Sequence, residues 1–272
     1  MRLFLSGLRK LARRLATWVT FGLLAGLLAL IILAVAATSH RTGAAPNERL
    51  AELRLLTFPG AYDTILSFIL GLGGLFAVIY GAAVAGSEWT WGTLKNAVAR
   101  GESRSGYLLL TFASIAVIVA VALLVTFGVG VGAALVGAHI AGVSTAGLGD
   151  GPTLGRLPEQ FVRGWFAILE EGALGFAIAT LARSQLAGIG AGIALYFGET
   201  FAGIFLPDIV KYLPFNVAQA SVNTGAATSG GFGGGATVAA LPADSALVLV
   251  AVWLVGALLV AAVFAERAEI SG

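Results

Sequence analysis

The sequence predicts an all-α integral membrane protein with six transmembrane helices. Of its 272 residues, 58% are hydrophobic and only 11% are charged, and the mean hydropathy is +0.94. Soluble domains carry about 25% charged residues, so this chain is unusually poor in charge. Its apolar runs are about 20 residues long and do not alternate with a period of two. Both properties favour membrane-spanning helices over a β-barrel.

The charge balance and the residue types exclude several classes of function. The net charge of +2 comes from basic residues at the edges of the apolar runs, which indicates contact with a lipid bilayer rather than with nucleic acid. There is no cysteine, which rules out disulfides, haem attachment, iron–sulfur clusters and thiolate zinc sites within the chain. The two histidines, His40 and His139, are far apart in sequence, so we expect no metal site here.

The elements follow a simple order along the chain. Residues 1–16 combine five basic residues with leucines and are predicted to form an amphipathic interfacial helix. The rest, residues 17–272, is predicted to form one transmembrane domain. Residues 142–158 carry Gly and Pro and are predicted to form a loop. The six helices are predicted at residues 17–37, 62–85, 107–138, 163–182, 186–206 and 245–265.

The distribution of Lys and Arg predicts the orientation in the membrane. Six spans place both termini on the same side. If that side is the cytoplasm, it holds ten of the Lys and Arg residues and the outside holds six. The bias favours an arrangement with both termini inside, N-in/C-in. The loop at residues 86–106 is then cytoplasmic, and residues 207–244 form an external segment.

These two segments differ in character. Residues 86–106 are polar and charged, and within them residues 88–99 are predicted to form a short helix that places Glu88 near its N-terminus, where the helix dipole favours an anion. In the external segment, residues 208–220 are apolar enough to re-enter the membrane. The Gly-rich tract at residues 225–235 is predicted to be a flexible linker.

Three G-x-x-x-G pairs lie within predicted spans, at Gly22 and Gly26, at Gly128 and Gly132, and at Gly188 and Gly192. This spacing lets helix backbones approach closely. The pairs indicate helix packing, within one chain or between two chains, or simply the high glycine content.

Three acidic residues fall inside predicted spans: Glu170, Glu171 and Glu199. A charged side chain at the bilayer centre costs about 2.5–3.5 kcal/mol or more. We therefore expect these residues to face the bundle interior, an aqueous vestibule or a dimer contact. All three lie toward the outer half of their predicted helices, so they are candidates for a pathway lining or gate near the outer exit. The alternative is interfacial pairing with Arg163, which precedes Glu170 on the same face, or with Lys211.

Two further carboxylates suggest a protease. Tyr62-Asp63 and Gly147-Leu148-Gly149-Asp150 resemble the YD and GxGD motifs of intramembrane aspartyl proteases, in which two carboxylates share a proton and activate water. However, Asp150 lies in a turn-rich stretch and Asp63 at the start of a span, so the context of the motif is missing.

The chain lacks nucleotide-binding and hydrolytic motifs. None of its three lysines, Lys10, Lys95 and Lys211, lies in a G-x-x-x-x-G-K-[ST] sequence, so a P-loop is excluded. Neither H-E-x-x-H nor G-x-S-x-G is present. The chain is therefore not expected to be an enzyme by itself.

The combination of a basic N-terminal helix, six spans, a charged loop after the second span and a long external segment before the sixth resembles the membrane (permease) subunit of type-2 ATP-binding-cassette (ABC) exporters. Leu213-Pro214-Phe215 also resembles the family's external segment. In the family a Pro often precedes the loop Arg, and here Glu102-Ser103 stands there. The loop residues that carry the resemblance are Glu88, Gly92, Thr93, Leu94, Lys95 and Arg104. The resemblance implies that these residues, with Trp89, couple the chain to an ATPase.

The resemblance implies a mechanism. Two permease subunits, identical or different, form the translocation pathway. The loop at residues 86–106 docks as a coupling helix on a separate ATPase subunit, which binds ATP and Mg. The resemblance also implies the plasma membrane of a prokaryote. The apolar spans favour a lipid, an amphipathic drug or a peptide as substrate.

Three rival hypotheses remain. A secondary carrier would use Glu170, Glu171 or Glu199 as proton sites and need no ATPase. An intramembrane protease would depend on Asp63 and Asp150. A membrane scaffold would transport nothing with any partner.

Overall fold

The chain is a multi-pass, all-helical membrane protein. A computed structural model describes residues 2–39, 53–222 and 241–267, and these contain no β-strand. Within these residues six helices are long and apolar enough to cross a membrane, as the sequence predicts. The Gly-rich tract and His40 lie outside the described residues.

The helices are numbered here in chain order. The six candidate spans are α2, α3, α5, α6, α7 and α10, and a 3-10 turn, Ala146–Gly149, precedes α6. The bounds are α1 Arg2–Arg13, α2 Leu15–Thr38, α3 Gly60–Thr90, α4 Thr93–Val98, α5 Arg104–Ala141, α6 Gly151–Ala182, α7 Gln185–Phe205, α8 Pro207–Val210, α9 Pro214–Ser221 and α10 Ala243–Arg267.

One predicted boundary is wrong by more than two turns. The loop predicted at residues 142–158 ends early, because α6 begins at Gly151 and not near Arg163. Asp150 caps this helix by accepting a hydrogen bond from the backbone N–H of Thr153. A proline also lies in the first turn, where the missing N–H costs no intrahelical bond. Local capping therefore outweighs the loop-like composition.

The core of the bundle is the pair α3 and α6. Within the most apolar stretch of each helix, 67% of α3 and 72% of α6 is buried, against 22% of α2 and 17% of α10. The two backbones touch directly: a β-carbon built on Gly81 would overlap the carbonyl oxygen of Gly172, and one built on Gly175 would overlap that of Val78. Glycine is the residue that permits this approach.

Of the three G-x-x-x-G pairs, one packs within the chain. A β-carbon on Gly188 or Gly192 of α7 would meet Ala179 or Val78 at close range. The other four glycines have no neighbour within 4 Å of that position. Helix α7 thus packs tightly on α3 and α6, while α2 and α5 offer their small residues to the surroundings.

The N-terminal helix packs on the start of α5. The side chain of Leu11 is 1% exposed. A β-carbon on Gly7 would lie 2.8 Å from the hydroxyl of Ser114, and that hydroxyl also donates to the carbonyl of Phe4. This packing brings α1 beside the end of α3 and beside α4.

Candidate functional site

The charged loop between α3 and α5 is built differently from its prediction. Helix α3 continues to Thr90, so Glu88 lies in its last turn, and the short helix α4 starts only at Thr93. The expectation that Glu88 begins the short helix is therefore wrong. At a helix C-terminus the dipole disfavours an anion, so Glu88 needs other stabilisation.

Glu88 obtains that stabilisation from four side chains. It is 1% exposed. The Lys10 ammonium donates to both carboxylate oxygens, at 2.6 and 2.9 Å, and Arg14 lies 3.4 Å from Oε1. The Tyr107 hydroxyl donates to Oε2 at 2.7 Å, and the Thr93 hydroxyl contacts the same oxygen. We call these five residues the Glu88 cluster.

The Glu88 cluster joins four helices at one point. Lys10 belongs to α1, and Arg14 is the first residue after the end of that helix. Glu88 lies in α3, Thr93 begins α4 and Tyr107 lies in the first turn of α5. Arg14 also donates to the hydroxyl of Ser87 at 2.9 Å. Charge-assisted hydrogen bonds are the stronger class, so the cluster ties the loop to the N-terminal helix.

The short helix α4 presents one buried and one exposed side. Gly92, which precedes it, has φ +65°, a left-handed conformation that reverses the chain between α3 and α4. Leu94 and Ala97 are buried beneath α4, while Lys95 and Asn96 are exposed. One side of α4 therefore packs into the fold and the other lies at its surface.

The adjacent tryptophans hold the loop in place from two sides. Arg14 stacks over the exposed ring of Trp91, 4.9 Å from its centroid. Arg183, in the turn between α6 and α7, lies 5.6 Å from the ring centroid of Trp89. In addition, a β-carbon on Gly86 would overlap the backbone of Gln185. The turn between α6 and α7 therefore packs directly on the end of α3.

Arg104 connects the loop to the last helix. Its guanidinium donates to the carbonyl of Glu266, at 3.3 Å. The Glu266 carboxylate accepts hydrogen bonds from the backbone N–H and the hydroxyl of Ser105, at 3.0 and 2.6 Å. The start of α5 and the end of α10 are thus joined.

A cavity of about 350 Å³ opens beside the Glu88 cluster. It lies between α1, α4 and α5. Its walls include Lys10, Asn96 and Arg100 as well as the apolar side chain of Leu110. Lys10, Glu88, Thr93 and Tyr107 of the Glu88 cluster form part of the wall of this cavity.

The second group of predicted residues lies far from the loop, in the middle of α6. Glu170 is 0% exposed and Glu171 is 1% exposed. None of their four carboxylate oxygens has a hydrogen-bond partner within the described part of the chain. A β-carbon on Gly74 of α3 would overlap the Glu171 carboxylate, so that glycine makes the space for it.

Glu199 of α7 is buried nearby but fully hydrogen bonded. Its carboxylate accepts from the backbone N–H groups of Phe215 and Asn216, at 3.3 and 2.7 Å, and from the Asn216 side chain at 2.8 Å. It thereby caps the start of α9. Tyr196, one turn earlier on α7, donates to the carbonyl of Gly71 at 3.0 Å.

The pairing expected between Arg163 and Glu170 is wrong. The Arg163 guanidinium instead pairs with Glu159 at 2.8 Å and with Asp244 at 2.6 Å. Lys211 likewise pairs with Asp208, at 3.3 Å. Glu159 lies one turn before Arg163 on α6 and Asp244 lies in the first turn of α10, whereas Asp208 lies three residues before Lys211.

The two aspartates of the protease hypothesis make separate contacts. Asp63 accepts a hydrogen bond from Gln160 at 3.5 Å. Asp150 caps α6 through the backbone N–H and hydroxyl of Thr153, and these bonds hold the pKa of Asp150 below its usual value. Capping accounts for Asp150 without a catalytic role.

Sequence reasoning missed the partners of Glu88. Lys10, Arg14 and Tyr107 lie 78, 74 and 19 positions from Glu88. The only sequence signal was the density of basic residues before the first span, which also fits contact with lipid headgroups. The contacts of Gly74 with Glu171 and of Asn216 with Glu199 gave no sequence signal.

No protein-family model matches the chain. No curated protein matches it either. The geometry of the Glu88 cluster and of the carboxylates in α6 and α7 is therefore the basis for assigning a function to this membrane protein.

Proposed function

We propose that the chain is the permease subunit of a type-2 ABC exporter, moved by a separate ATPase that binds ATP and Mg. The observation that carries the proposal is the Glu88 cluster. A loop that only connects two spans does not need a buried carboxylate held by four side chains. A loop that transmits movement from a partner to the spans needs to be firmly attached to them, as the Glu88 cluster attaches this one.

The proposed route of force starts at the exposed side of α4. A partner that contacts Lys95 and Asn96 there displaces α4, whose other side is buried. Through Thr93 and Glu88 the displacement reaches α3. The contact of Gly86 with the turn between α6 and α7 passes it on to two further spans. A single docking point thus acts on the core of the bundle.

The proposal includes the topology. We place α1 in the cytoplasmic interface, where its basic residues meet anionic lipid headgroups and its leucines meet the acyl chains. Both termini and α4 are then cytoplasmic, in line with the bias of Lys and Arg. Helices α8 and α9 lie on the outer side, where Glu199 anchors the start of α9.

In the proposed cycle two permease subunits, the same or different, enclose the pathway. ATP binding closes the partner ATPases and moves both copies of α4. The spans then repack and release substrate outward. The apolar surfaces of the spans suit a lipid, an amphipathic drug or a peptide.

A matched pair of glycines tests the coupling role. Gly92 and Gly142 both have φ +65°, and a β-carbon built on either has no described residue within 4 Å, but only Gly92 lies in the loop. We expect Gly92→Val to insert into the membrane and lose ATP-driven export, whereas Gly142→Val, with the same backbone strain, retains it. The measurement is ATP hydrolysis and export by the complex in proteoliposomes, after co-purification with ATPases from the same organism.

Two results would overturn the proposal. One is failure of the chain to co-purify with any protein that contains a G-x-x-x-x-G-K-[ST] motif. The other is a Gly92→Val complex that couples hydrolysis to export as well as the wild type does.

A further inference from the structure

The Glu170–Glu171 pair lies near the middle of α6. Glu171 is followed by eleven residues of α6, which corresponds to about 17 Å of helix at 1.5 Å per residue. The hydrocarbon core is about 30 Å thick. Both side chains are enclosed by the same chain, with 0% and 1% of their surface exposed. The single chain is therefore sufficient to bury both side chains, without a second subunit.

Among the described residues, no positively charged group pairs with Glu170 or Glu171. The carboxylates of Glu170 and Glu171 interact electrostatically with each other and with Glu199. From α7 the titratable groups are Glu199 and Tyr196, and the Tyr196 hydroxyl is engaged by the carbonyl of Gly71. From α3 the pair meets Gly74, which has no side chain to donate a hydrogen bond.

Such surroundings point to a particular ligand. Glu199 accepts three hydrogen bonds, whereas the two neighbouring carboxylates of Glu170 and Glu171 accept none from the described residues. Two neighbouring carboxylates without partners repel each other, and a bound proton removes that repulsion. The space that Gly74 leaves is filled by the Glu171 carboxylate itself, which suits a proton better than a larger cation.

We propose that the Glu170–Glu171 pair is a proton-binding site inside each subunit. Binding converts a carboxylate to a carboxylic acid and removes one negative charge. The proton comes from and returns to water, and no other reactant takes part. Glu199 connects the site to the start of α9, so movement of α9 changes the charge nearest the pair. The site does not depend on a partner ATPase, although it would make an export cycle sensitive to pH.

Infrared spectroscopy of the purified chain in lipid bilayers tests the proposal without any partner. A protonated carboxylic acid has a carbonyl stretch separate from that of a carboxylate. At neutral pH exposed acids are ionised, so we expect a carboxylic acid band from buried groups in the wild type. Glu170→Gln and Glu171→Gln should each reduce or shift the band, and the double variant should remove that component.

The matched control is Glu159→Gln, which alters an exposed glutamate in the same helix. We expect it to leave the band unchanged. Absence of the band in the wild type at neutral pH would overturn the proposal, and so would a band that persists unaltered in both single variants. The wild-type and single-variant spectra decide the matter even if the double variant does not fold. A failed ATPase partnership would leave the infrared result intact, so the two proposals can be told apart.

Discussion

Glu88 and Glu171 are the same residue type with the same exposure, 1%, and opposite surroundings. Glu88 lies at the end of α3 and receives hydrogen bonds from Lys10, Thr93 and Tyr107. Glu171 lies in the middle of α6 against a glycine, without a hydrogen-bond partner in the described part of the chain. Burial alone therefore does not tell what a membrane carboxylate does.

The difference has a structural origin. The end of α3 is near the N-terminal helix, and Lys10 of that helix and Arg14 just after it supply counter-charges. The middle of α6 faces α3 where it is built from small residues, and these cannot donate from a side chain. A partnered carboxylate fixes helices to each other, whereas an unpartnered one is free to gain or lose a proton.

The same substitution at both positions tests this difference most directly. Glu88→Gln leaves the charges of Lys10 and Arg14 uncompensated and should lower the free energy of unfolding by about 3 kcal/mol. Glu171→Gln removes an unpartnered carboxylate and should change it by less than about 1 kcal/mol. Denaturant unfolding in detergent micelles measures both, and equal losses would contradict the distinction.

A double-mutant cycle measures how strongly Lys10 and Glu88 interact. Combining Lys10→Met with Glu88→Gln should show a coupling free energy of about 2 kcal/mol. The cycle of Arg14→Met with Glu88→Gln should give a smaller value, because Arg14 is 3.4 Å from the carboxylate and Lys10 is 2.6 Å away. A coupling near zero for Lys10 would mean that the close contact contributes nothing to stability.

A third test concerns the space beside Glu171. Gly74→Ala places a methyl group against the carboxylate and should destabilise the protein by about 1–2 kcal/mol. The loss should largely vanish in a Glu171→Ala background, since the overlapping group is then absent. Gly128→Ala is the control, with nothing within 4 Å, and we expect it to be neutral or slightly stabilising.

The smallest effect is expected at Asp150, a half-buried carboxylate at the start of α6. Its pKa is lowered by hydrogen bonds from Thr153, so its ionised form stabilises the folded state. That contribution is complete above the ordinary pKa of aspartate and is lost as the pH falls through the lowered value. The unfolding temperature of the wild type should therefore fall more on acidification below about pH 4 than that of Asp150→Asn. Parallel melting curves for the two proteins would refute this.

The sequence predicts the six spans well because their signal is local. A run of about 20 apolar residues is long enough to cross a membrane whatever surrounds it. The start of α6 was misjudged because a cap at Asp150 and a proline in the first turn outweigh a loop-like composition. Composition describes an average over a window, whereas a helix end depends on single hydrogen bonds.

The candidate site could be predicted only in part, because its contacts are long-range. Glu88 was singled out by its position in a charged loop, but its link to Lys10 spans 78 positions. The carboxylates in α6 and α7 were recognised from hydropathy, yet the contrast between partnered Glu199 and unpartnered Glu171 depends on the fold of α9 and on Gly74. No residue pattern in a single sequence carries that information.

The backbone contact between α3 and α6 has a mechanical consequence. Side chains are the compliant layer between packed helices, because their rotamers can absorb small shifts. Where Gly81 and Gly175 bring the backbones together, that layer is missing. Gly74 and Glu88 are fourteen residues apart on α3, or about 21 Å. We therefore expect α3 and α6 to shift together when Glu88 is displaced.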